Sequence, residues 1–128
     1  MTTFTLDINN FAKKVDAEAD KKVREVCLKL YSDITYGTPV DTGRAQANWF
    51  TSIGSPSSQT IEFEGGGAAA AGVAIGRSMT DIAKATGNIL WITNNLPYIY
   101  RLEYEGWSKQ APRGMVRIAI DNMKRDLR

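Results

Sequence analysis

Asp41-Thr42-Gly43 is the tripeptide by which aspartic proteases present a catalytic carboxylate, two such loops from a dimer setting two carboxylates close enough to share one proton. Val73-Ala74-Ile75-Gly76-Arg77 imitates the apolar-apolar-glycine segment that supports that loop. The context argues against this chemistry: the tripeptide follows a long helical pattern and Pro39 instead of an apolar strand, and the interval to Gly76 is short for such an enzyme. Two further carboxylate pairs, Glu62/Glu64 and Glu103/Glu105, have the spacing that shares one face of a strand, and exposed surface is their ordinary setting. The chain has no histidine and one cysteine, so ordinary zinc sites and histidine acid–base catalysis are not expected, nor is any cofactor. Gly65 to Gly72 lacks the Gly-Lys-Ser/Thr ending of a phosphate-binding loop.

These residues need elements to hold them. At 128 residues, 43% hydrophobic and 23% charged, the chain suits one domain with one core. A net charge of +2 leaves nucleic-acid or anionic-membrane binding to local patches. Cys27, among Val23, Val26 and Leu30, reads as a buried small hydrophobe, and a reducing compartment is expected. No stretch resembles a signal peptide or approaches the ~20 apolar residues that span a bilayer, so no membrane partner is expected.

The periodicity predicts one long helix from Ile8 to about Thr35, with Asp7 as N-cap and Ile8, Phe11, Ala12, Val15, Ala19, Val23, Val26, Leu30 and Ile34 on its inner face. Such a helix rises ~42 Å and would span a domain whose radius of gyration is ~14 Å. Gly37 and Pro39 stop it. Pro39, Asp41, Thr42 and Gly43 then form a structural turn, Asp41 and Thr42 being placed to bond nearby amides. Alternation predicts strands at Ala47 to Ile53 and Thr60 to Phe63, joined through Gly54 to Ser58 as a hairpin. Gly65, Gly66, Gly67 and Gly72, interleaved with alanines, read as a flexible segment able to reach a neighbour. A short helix over Arg77 to Thr86, a buried strand over Asn88 to Thr93, a helical turn over Tyr98 to Tyr104 and a terminal helix opening at Pro112 complete the pattern. The expected class is α+β: a long N-terminal helix and a C-terminal helix packed on a small, mostly antiparallel sheet.

Two stretches carry most of the large aromatics and turn formers. Pro39-Val40-Asp41-Thr42-Gly43-Arg44 with Trp49 is followed, in order, by Pro97-Tyr98, Leu102-Glu103-Tyr104, Gly106, Ser108-Lys109-Gln110-Ala111-Pro112 and Gly114-Met115-Val116. Together these resemble the neck or tail-completion proteins of long-tailed double-stranded DNA bacteriophages, over roughly residues 8 to 125. Glu105 departs from the pattern, which more often has glycine there.

The resemblance implies a single tail-completion-like domain without enzymatic activity, assembled in the host cytoplasm and placed in the virion at the head-to-tail junction. Its implied partners are further copies in a homo-oligomeric ring, a hexamer by analogy with tail rings, neighbouring neck and tail-tube proteins, and DNA passing through the lumen. Trp49, Trp91, Tyr98 and Leu102 are expected mainly in the core, and Tyr100, Tyr104, Trp107, Gln110, Arg113 and Arg117 at a subunit interface. From Gly106 onward Lys109, Arg113, Arg117, Lys124, Arg125 and Arg128 outnumber Asp121 and Asp126, a surplus suited to an acidic ring or to DNA. The alternative function is a nucleic-acid-binding phage accessory domain.

Overall fold

A computed structural model describes residues 2–7 and 17–127. In order the elements are β1 (Thr2–Asp7), α1 (Ala17–Gly37), α2 (Arg44–Ala47), β2 (Phe50–Ile53), α3 (Gly67–Ala83), β3 (Ile89–Asn94), α4 (Ile99–Tyr104) and α5 (Val116–Asp126). The fold is α+β. Its sheet has the order β1-β3-β2, with the central strand antiparallel to both neighbours, Phe4 facing Ile92 and Phe50 facing Thr93.

α1 forms because Val23, Cys27, Leu30, Tyr31 and Ile34 recur at helical steps, and all five are buried. The outward face carries Asp20–Arg24, Lys21–Glu25 and Lys29–Asp33 ion pairs four residues apart, worth only about 0.3–0.5 kcal/mol each when exposed. Cys27 lies in the core, where burial pushes its thiol up to about 11. The first part of the expected helix, 8–16, lies outside the described residues, and Asp7, expected as its N-cap, ends β1. β1 itself has no counterpart in the sequence reading.

The glycine–alanine segment, expected to be flexible, is helical from Gly67 onward. Gly67 and Gly72 lie within α3, a 17-residue helix that also absorbs the short helix expected from Arg77. Ala70, Ala71 and Ala74 are fully buried. Small side chains let α3 settle close to α1, and that tertiary contact gives order to a composition with little of its own. Gly65 and Gly66 lead in, and Gly66 has the positive φ of 84° that a glycine supplies freely.

The second expected strand is also absent: residues 55–64 are irregular, and β2 pairs with β3 instead of with a hairpin partner. Gly54 at φ 85° donates to Ile89 O at 3.0 Å and leads the chain off the sheet. The amide of Asn48 then holds Ile61 at both backbone groups, accepting from its N–H at 2.8 Å and donating to its carbonyl at 2.9 Å. Asn95 Nδ2 donates to Ser57 O and Gln59 O. Two asparagine amides thus replace a strand partner. Residues 44–47, whose end was expected to begin β2, form the short helix α2.

Candidate functional site

The corner after α1 is fixed by close approach. Gly43 has φ 90°, and a Cβ there would stand 2.7 Å from Gly66 O, so only glycine lets the turn lie against the start of α3. Gly66 N–H donates to Thr42 O at 2.9 Å, and Arg44 N–H donates to Thr42 Oγ1 at 3.2 Å. The local hydrogen bond expected of Asp41 and Thr42 is therefore made by Thr42, while Asp41 is exposed. Asp41→Ala is expected to change stability by less than about 0.5 kcal/mol, and Thr42→Ala to cost up to about 1 kcal/mol. Urea melts of both variants check this, and the reverse ranking would contradict the geometry. Val73 to Arg77 is helical, so it provides no supporting strand behind the Asp41 tripeptide.

Trp49, fully buried as expected, anchors the first stretch from below. Its Nε1 donates to Thr38 Oγ1 at 2.8 Å, and Thr38 Oγ1 in turn donates to Ile34 O at 2.7 Å. The Trp49 carbonyl accepts from the Tyr31 hydroxyl and from Arg77 Nη2, while the Arg77 guanidinium lies 3.7 Å from the Phe50 ring centre. Burial pushes the Tyr31 phenol up to about 12, with Arg77 opposing the shift. Burial lowers Arg77, which Tyr31 partly offsets.

The second stretch is held by two contacts that the sequence reading misses. Gln110 Oε1 accepts from Val40 N–H at 2.8 Å and Gln110 Nε2 donates to Val40 O at 3.0 Å, so its amide ties the two stretches together across 70 residues. Gln110 was expected at a subunit interface; both amide groups are engaged within its own chain.

The other contact is Glu103, expected as one of an exposed pair and in fact fully buried. Its Oε1 accepts from the N–H groups of Met115 at 2.9 Å and Val116 at 2.6 Å, and its Oε2 accepts from Arg117 Nε at 2.8 Å. A carboxylate thus receives the unsatisfied amides at the N-terminus of α5, where the helix dipole favours negative charge. Gly114 at φ 83° permits the approach, because a Cβ there would stand 2.4 Å from Glu103 Oε2. For the same reason α5 begins at Val116 and not at Pro112, which lies in the preceding turn. A signal for Glu103 exists in the sequence: it follows Ile99 by four residues and shares its buried face.

Around this scaffold Tyr100, Tyr104 and Trp107 are 54%, 44% and 58% exposed, too much for core residues. The Tyr100 and Tyr104 rings lie 4.8 Å apart between centres, Arg117 stands 4.9 Å from the Tyr104 ring centre and Arg101 5.7 Å from that of Trp107. Arg113 is exposed, and Arg117 is half-exposed with its guanidinium shared between Glu103 and the Tyr104 ring. Leu102 is buried, whereas Tyr98 and Trp91 are only partly so, shallower than expected. Burial raises the Tyr98 phenol. Glu105 has an ordinary φ of −108°, and Gly106 carries the positive φ of 58°, so the departure at position 105 imposes no backbone strain.

A cleft of about 720 Å³ opens where the stretches meet, bounded by Pro39 to Thr42, by Glu62 to Glu64 and by Tyr98, Trp107 and Lys109. Its walls combine apolar rings with Asp41, Glu64 and Lys109, none of which has an ion-pair partner among the described residues. Among the described residues no cluster of three or more histidine, cysteine, aspartate or glutamate side chains could hold a metal ion, and no helix is long and apolar enough to cross a membrane.

No protein-family model, curated protein or solved structure matches this chain.

Proposed function

We propose that this chain is a structural protein of a phage neck, which completes the tail and joins it to the DNA-filled head as a subunit of an oligomeric ring, without catalysing a reaction. The observation that carries the reading is the convergence of the two stretches behind the resemblance. Gln110 binds them to each other, Trp49 and Glu103 fix them from the core, and Tyr100, Tyr104 and Trp107 remain outside. Buried aromatic area and arginine are the usual currency of protein interfaces, and here a rigid base presents both. The partners proposed are neighbouring copies, the adjoining neck and tail-tube proteins and DNA in the lumen. The arginines over exposed rings favour one second reading, a nucleic-acid-binding accessory domain.

Trp107→Ala separates interface from core. With 58% of Trp107 exposed, the isolated variant is expected to melt close to the parent, while joining weakens by about 2 kcal/mol or more per contact. Thermal melts beside the yield of tailed, infectious particles make the comparison. A variant that unfolds, or one that leaves particle yield unchanged, would remove Trp107 from the interface. The second reading instead predicts monomers or dimers that bind duplex with affinity falling steeply as salt rises.

A further inference from the structure

We infer that the cleft between the two stretches is the acceptor for the last turn of α5 from a second copy, so that successive subunits join head to tail. This rests on the ring reading and names its contact. The exposed carboxylates Asp41 and Glu64 line the cleft together with the apolar surfaces of Phe63, Tyr98 and Trp107. The last turn of α5 offers the complement: Lys124 and Arg125 are exposed, and Leu127 is 42% exposed beside them. Lys109 lines the cleft without an ion-pair partner among the described residues, and its charge suits the carbonyl end of an incoming helix.

One chain cannot fill its own cleft. α5 starts against the end of α1, where a Cβ on Gly37 would stand 3.2 Å from Met115 Cβ, and it runs back along α1 until Asp126 lies 3.8 Å from Lys29. The last turn is therefore about 16 Å from the start of the helix, at the opposite end of the α1–α5 pair from the Pro39 to Thr42 corner. Donor and acceptor surfaces that differ and face apart make a heterologous contact, which closes into a ring when the rotation per subunit divides the circle.

Charge reversal in the full chain tests this. The donor variant carries Lys124→Glu and Arg125→Glu; the acceptor variant carries Asp41→Lys and Glu64→Lys. All four positions are exposed or half-exposed, so melting curves should stay near the parent. By sedimentation velocity, each variant alone should need at least about tenfold more protein to assemble than the parent. An equimolar mixture should assemble again, because each reversed donor meets a reversed acceptor and each parental donor meets a parental acceptor. Assembly that ignores both reversals, or a mixture that stays apart, overturns this contact and leaves the ring reading standing. A parent chain that remains monomeric at every concentration overturns the ring reading and this contact with it.

Discussion

Glu103→Ala is expected to cost about 3–5 kcal/mol, because it breaks a buried, hydrogen-bonded ion pair from one side. The substitution removes the acceptor for Met115 and Val116 N–H and the anionic partner of Arg117 Nε, in a place without solvent to substitute. Those amides belong to the N-cap and first residue of α5, and stranded buried donors carry their full desolvation cost. Because Arg117 is half-exposed, it can return to water, and most of the loss falls on the helix start and on the loop from Glu105 to Met115. A domain of this size commonly has only about 5–15 kcal/mol in hand, so the variant should melt at least about 10 °C below the parent. Glu103→Gln keeps the volume and one acceptor but turns a donor toward Arg117, and should fall between the two. An alanine variant melting within about 2 °C of the parent would contradict this role of the carboxylate.

Deleting Gly66 to Ala71 should abolish cooperative folding. A flexible segment there, as its composition suggests, would let the fold survive that deletion, since two glycines and four alanines carry little conformational preference of their own. In the structure the cut removes the lead-in and first turn of α3, two fully buried alanines, the Gly66 bond to Thr42 and the close contact beneath Gly43. The remaining helix cannot keep its register on α1, where the Ala74 carbonyl lies 3.2 Å from the Tyr31 hydroxyl. Near-UV circular dichroism and a thermal scan give the readout. A native spectrum with a sharp transition would show that the segment is dispensable. Slow amide exchange at Ala70 to Ala74 in the intact chain is the matching positive result.

What the sequence discloses follows the range of the interactions involved. α1, β3 and α4 are written in local periodicity, and the α+β class follows from them. The Thr60 to Phe63 pattern is local too, but asparagine amides and not a neighbouring strand hold that segment. α3 is illegible because alanine and glycine record only that something packs closely, not what does. β1 is six residues long and gains its place through pairing with β3, far along the chain.

The site divides the same way. Its exposed aromatics stand out by type, and Tyr100, Tyr104 and Trp107 are exposed as expected. Gln110 and Arg117 look like surface groups until the chain folds, and their polar atoms then serve contacts within the subunit. Trp91 and Tyr98 fall between, large enough to suggest a core but placed at its margin.

The central proposal, a ring subunit at the head-to-tail junction, is tested most directly by a side-chain-resolution reconstruction of the neck in virions containing this chain. It predicts a closed ring of this fold between head and tail tube, with Tyr100, Tyr104 and Trp107 covered by neighbouring chains. Purified tailed particles that lack the chain, or a neck in which that aromatic surface faces open solvent, would contradict it.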